Sequence, residues 1–66
     1  MTNTIHVERA IKRITQADLA AAVGVSRQTI NALEAAKYVH SVVLAMKIAH
    51  FFGKPVETIF ELTIED

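Results

Sequence analysis

Three helix-interrupting residues, Gly24, Gly53 and Pro55, punctuate the chain, and they are its two glycines and its one proline. The stretches they bound hold ten alanines, a composition that favours helix. A glycine just past a helix stops it by taking the left-handed conformation, so Gly24 and Gly53 read as stops. A proline is accepted in a first turn, so Pro55 reads as a start. A mainly α chain of several short helices follows. Sixty-six residues make a single domain, residues 1–66. A core of that size supplies only ~3–5 kcal/mol by itself. With no cysteine, disulfides and thiolate zinc sites are excluded. His6, His40 and His50 lack the i, i+4 spacing that brings two imidazoles to one metal, so no metal is expected. A second subunit is left as the source of extra stability.

Helix starts are written locally. Thr15 precedes Gln16-Ala17-Asp18-Leu19, and its hydroxyl is placed to accept from the Asp18 amide while Asp18 carries negative charge into the first turn. Ile14 and Leu19 then hold the staple positions, and the helix runs to Val23. Ser26 repeats the pattern, with Val25 and Ile30 as its staple, and opens a helix from Arg27 to Ala35. At 100° per residue Ile30 and Leu33 share one side of it. Gln28 and Asn31 point away, with Arg27 and Ala32 at the edges of that outer face. Upstream, Val7, Ala10, Ile11 and Ile14 have i, i+3, i+4, i+7 spacing and predict a helix over about 6–13 that buries this stripe. Downstream, Ser41 caps a helix from Val42 to Phe52, with Leu44, Ala45, Ile48, Phe51 and Phe52 as its apolar band. Pro55 opens a short helix ending at Ile59. The tail from Phe60 to Glu65 alternates apolar and polar, the period of a half-buried strand. A lone strand is unstable, so it pairs with Asn3-Thr4-Ile5, with a second subunit, or with both.

Net charge is zero, which by itself argues against nucleic acid. The distribution points the other way. All seven basic residues lie between positions 9 and 54 with only Asp18 and Glu34 for company, a net +5, while the other acids sit at or near the ends.

Two short helices around a glycine turn form a helix-turn-helix, here over about 15–35. The run from Gln16 to Glu34 strongly resembles the Cro/repressor-type (XRE) helix-turn-helix regulators. Small Ala20, turn Gly24 and apolar Leu19, Val23, Val25, Ile30 and Leu33 stand where that family has them. The segments Leu44 to Gly53 and Val56 to Phe60 look like its fourth and fifth helices. The resemblance implies a five-helix, lambda-repressor-like DNA-binding domain with a short terminal antiparallel β extension, as in the small dimeric members. It implies double-stranded DNA and a second copy of the chain as partners, and repression from a palindromic operator as the function. Base reading would fall to Arg27 and Gln28, with Thr29, Asn31 and Ala32 secondary. An arginine pairs bidentately with guanine and a glutamine with adenine. Gln16, Ser26, Lys37 and Tyr38 match or lie near phosphate-contacting positions.

The chain departs from the family between its third and fourth helices. Ala35 and Ala36 stand where a glycine stop is usual, and the proline is absent. The helical phase of Ile30, Leu33, Lys37, His40, Leu44, Ile48 and Phe51 is continuous, so the third and fourth helices either fuse, forcing subunit exchange, or are joined by a tighter loop. Neutral charge and this altered segment keep open a second reading, a protein-interaction module such as an antitoxin or adaptor. Enzymatic function is not expected: Ser26 and Ser41 are caps, and no phosphate-cradling glycine loop exists. No cofactor or small-molecule ligand is implied. The longest apolar runs, about five residues, are far short of the ~20 a membrane span needs. With no thiol and no export signal, the expected location is cytoplasmic.

Overall fold

A computed structural model describes residues 1–35 and 41–64. The described elements are β1 (Thr2–Asn3), α1 (Ile5–Lys12), α2 (Gln16–Val23), α3 (Arg27–Ala35), α4 (Val42–Phe52), α5 (Val56–Ile59) and β2 (Phe60–Glu61). The mainly helical architecture with a short two-stranded sheet is the expected one. Each helix delivers one large side chain that is fully buried: Ile5, Leu19, Ile30, Ile48 and Ile59. Ala20 is also buried, which lets α2 and α3 approach closely, and these two share the most extensive packing of any pair of elements.

The caps form as the sequence implies. The Thr15 hydroxyl accepts from the Asp18 N–H and the Asp18 carboxylate accepts from the Thr15 N–H, both at 3.0 Å. The Thr15 backbone N–H foremost, and the Thr15 hydroxyl after it, hold the Asp18 carboxyl below its usual value. Ser26 Oγ accepts from the Thr29 N–H at 3.2 Å, and Ser41 Oγ from the Leu44 N–H at 3.1 Å. Ser41 is extended, with φ −120° and ψ 112°, so α4 starts on its own cap and no continuous helix runs through that residue. The expectation about the linking segment, Lys37 and Tyr38 included, lies outside the described residues.

Gly24 sits at φ +78°, and the Val25 N–H closes on the Ala20 carbonyl at 3.0 Å, a Schellman-type stop. No atom lies within 4 Å of a Cβ added there, so only the backbone resists one. Gly24→Ala is expected to lower stability by roughly 1 kcal/mol, the left-handed penalty less the entropy removed from the unfolded chain. The shift of the urea midpoint measures it; an unchanged midpoint contradicts the role of the turn.

Two expectations are corrected. The stripe Val7, Ala10, Ile11, Ile14 does not face the core: Val7 is 43% and Ile11 66% exposed, Ala10 is exposed, and only Ile14 is half-buried. The helix starts one residue early, at Ile5, and turns Ile5, Glu8 and the half-buried Arg9 inward, with the exposed Lys12 at the end of the same stripe. Each polar member finds a partner there. Glu8 is buried and accepts from Lys54 Nζ at 2.8 Å, Arg9 pairs with Glu34, and Lys12 lies 5.5 Å from the centroid of the Phe51 ring. The tail also differs. β2 covers only Phe60 and Glu61, antiparallel to β1 with Thr2 opposite Glu61 and Asn3 opposite Phe60. Ile5 is helical and Thr4 precedes α1, so the partner strand is Thr2–Asn3 and not Asn3-Thr4-Ile5, while Leu62 and Ile64 lie past β2 and are exposed. A smaller difference is that Pro55 is the N-cap of α5 and stands outside its first turn.

Candidate nucleic-acid interface

α3 rests on the body through Ile30 and Leu33, both buried. Its other side is open: Arg27, Gln28, Thr29, Asn31 and Ala32 are all exposed. The five proposed base readers therefore stand on one short helix that is capped at its start and seated along its inner face. Ser26 is exposed as well, and its hydroxyl lies 2.9 Å from Thr29 Oγ1. The far end is tied down by Asn3, whose Nδ2 donates to the Leu33 carbonyl at 3.0 Å.

Gln16, at the start of α2, reaches across to α3. Its Nε2 donates to Asn31 Oδ1 at 3.2 Å and to Glu34 Oε1 at 3.3 Å, and its Oε1 accepts from Arg27 Nη1 at 3.5 Å. Behind it lies the pair of Arg9 and Glu34. Arg9 Nε donates to Glu34 Oε2 at 2.6 Å and Nη2 to Oε1 at 3.0 Å, the forked geometry of a strong charge-assisted pair. Both side chains are mostly covered, at 18% and 11% exposure. Burial, the largest single influence, pushes the Glu34 carboxyl up. The Arg9 and Gln16 hydrogen bonds and the charges of Arg9 and His6 together outweigh it and hold the group below its ordinary value. The hydrogen bond to Glu34 in turn raises the Arg9 guanidinium.

Neither Arg9 nor Glu34 stands out in the sequence as part of this surface. One signal was available: Arg27, Asn31 and Glu34 fall at i, i+4, i+7, one stripe along the flank of α3, and Glu34 is one of two acids within the basic stretch. The ion pairs also reduce the free charge, because Arg9 and Lys54 are each held by a carboxylate. Among the described residues no cluster of His, Asp and Glu is placed to hold a metal, and no helix is long and apolar enough to cross a membrane.

Comparison with known proteins agrees with this geometry. The helix-turn-helix family model matches residues 7–59. The chain is 53% identical over 60 residues to an uncharacterized HTH-type transcriptional regulator of Methanocaldococcus jannaschii, covering 91% of each protein. It is 39% identical over 66 residues to the uncharacterized HTH-type transcriptional regulator YgzD of Bacillus subtilis, the full length of both. To one from Archaeoglobus fulgidus it is 47% identical over 60 residues, 91% of this chain and 84% of the relative. With two capped helices crossing at Ala20, a glycine turn between them and a family match across most of its length, the chain belongs to the XRE-type helix-turn-helix family of DNA-binding transcriptional regulators.

Proposed function

We propose that the protein is a homodimeric repressor that binds a palindromic operator, with α3 of each subunit in the major groove. The observation that carries this reading is the open face of α3, where Arg27 and Gln28 stand clear of the body on a helix anchored by Ile30 and Leu33. Arg27 takes guanine O6 and N7, and Gln28 takes adenine N6 and N7. Thr29, Asn31 and Ala32 make the secondary base contacts, Ala32 against a thymine methyl. Ser26, Lys37 and Tyr38 are assigned to phosphates, and each lysine or arginine contact of that kind adds about 0.9 to the salt slope. Two copies place their helices about 34 Å apart, one turn of the duplex. The exposed apolar residues Val7, Ile11, Leu62 and Ile64 support self-association.

Selection of binding sites from random DNA, with the solution mass measured alongside, tests the proposal. Recovery of an inverted repeat by a protein of twice the chain mass is the expected result. On the selected site, Gln28→Ala is expected to cost ~1–3 kcal/mol at one base pair per half-site. An equal loss on every sequence contradicts base reading by Gln28. No binding to random duplex even at low salt favours a protein-interaction module in its place.

A further inference from the structure

The hydrogen bonds behind α3 run in one chemical direction, and that direction starts at an ion pair. Glu34 is held by both Arg9 bonds and only accepts. Whatever part of the Gln16 amide faces it must be the NH2 end. The two Nε2 hydrogens then serve Glu34 and Asn31, and the amide oxygen is left turned toward Arg27, a pure donor. Asn31 must offer its oxygen to Gln16, so its own NH2 group keeps both hydrogens for what lies outside. Each amide orientation is forced by the one before it. The low-lying carboxyl of Glu34 keeps the starting point ionised at neutral pH.

We propose that Glu34, acting through Gln16, is a positioning residue that makes Asn31 a hydrogen-bond donor toward DNA and steadies Arg27. Asn31 thereby recognises an acceptor on a base edge, a purine N7 or a thymine O4, and Gln16 serves the base readers and does not clamp phosphate. This rests on the DNA-reading role of α3 proposed above. It differs from the family-based expectation for Gln16, whose two amide hydrogens are already engaged within the protein.

The test uses the full chain and its selected site, every single-base variant of that site, and a random duplex. Gln16→Met keeps the length of the side chain and leaves the pair of Arg9 and Glu34 in place. Gln16→Met and Asn31→Ala are expected to lose discrimination at the same base pair, by about tenfold, and the double variant to lose little more. Glu34→Gln lets the Gln16 amide turn, and is expected to change which base is preferred at that pair. A thermal melt of each variant confirms that the fold is retained. Equal weakening by Gln16→Met on all duplexes, the random one included, identifies a phosphate contact and overturns the proposal. So does an unchanged base preference in Asn31→Ala. If the wild-type protein itself fails to distinguish its selected site from random DNA, the reading of α3 falls first and this inference with it.

Discussion

Replacing Arg9 with methionine is expected to destabilise the protein by about 3 kcal/mol at neutral pH. The methylene stem stays, so the loss is electrostatic. Glu34 would remain 11% exposed with no cation bonded to it, supported by the Gln16 hydrogen bond and the weaker influence of His6. The Ile14 carbonyl would also lose the Arg9 Nη1 donor that it accepts from at 3.2 Å. In a fold whose core supplies only ~3–5 kcal/mol, a loss of that size brings the chain close to unfolding. The pH dependence identifies the cause. In the wild type the Glu34 carboxyl lies below its unfolded value, so its contribution is complete above that value, near ~4.3, and disappears as pH falls through the lower folded one. In Arg9→Met, burial is no longer outweighed, and the folded carboxyl moves up. Its destabilising charge is then removed by protonation as the solution is acidified. Urea melts at pH 7 and at about pH 4 should therefore show the gap between variant and wild type narrowing on acidification. A gap that stays constant contradicts an unpaired Glu34 charge as its origin.

The parts of this fold that were legible in the sequence are the parts set by neighbours. Thr15 with Asp18, Ser26 with Thr29 and Ser41 with Leu44 each lie within three residues of their partners, so residue type and spacing suffice to place them. Gly24 and Gly53 were legible for the same reason, since a stop depends on its own backbone. The inward stripe of α1 was not. Its polar members are satisfied by Glu34 and Lys54, 25 and 46 residues away, and local periodicity sees only that Val7 and Ile11 are apolar. The outer face of α3 followed from the phase of Ile30 and Leu33, which locates Arg27, Gln28, Asn31 and Ala32 without knowledge of anything distant. The polarity of that face was hidden, because it is imposed from α1 through an ion pair. In the tail the alternation of Phe60 to Glu65 was a real pattern, but a strand extends only as far as its partner. That partner is β1, two residues long.

Ile30→Ala is expected to be the other large loss, about 3 kcal/mol. Ile30 is fully buried and is the only large side chain of α3 with no exposure among the described residues. Alanine removes three carbons at the crossing of α2 and α3, and the close approach at Ala20 limits how far the two helices can collapse into the space. Alanine is the better helix former, which offsets the loss by under ~0.7 kcal/mol. Ile30→Val removes one methylene and is expected to cost ~1 kcal/mol, so the pair of variants separates lost volume from any change at the outer face. Arg27, Gln28 and Asn31 are untouched in both. Ile30→Val should bind the selected operator as the wild type does, and the weaker binding of Ile30→Ala should follow its unfolded fraction, because DNA that binds only the folded state draws the equilibrium toward it. Urea melts of both variants, with operator titrations at two temperatures, give the comparison. If Ile30→Ala loses operator binding while it remains folded, Ile30 shapes the DNA-facing side of α3 directly, and α3 is not the rigid rod on which the base-reading assignment depends.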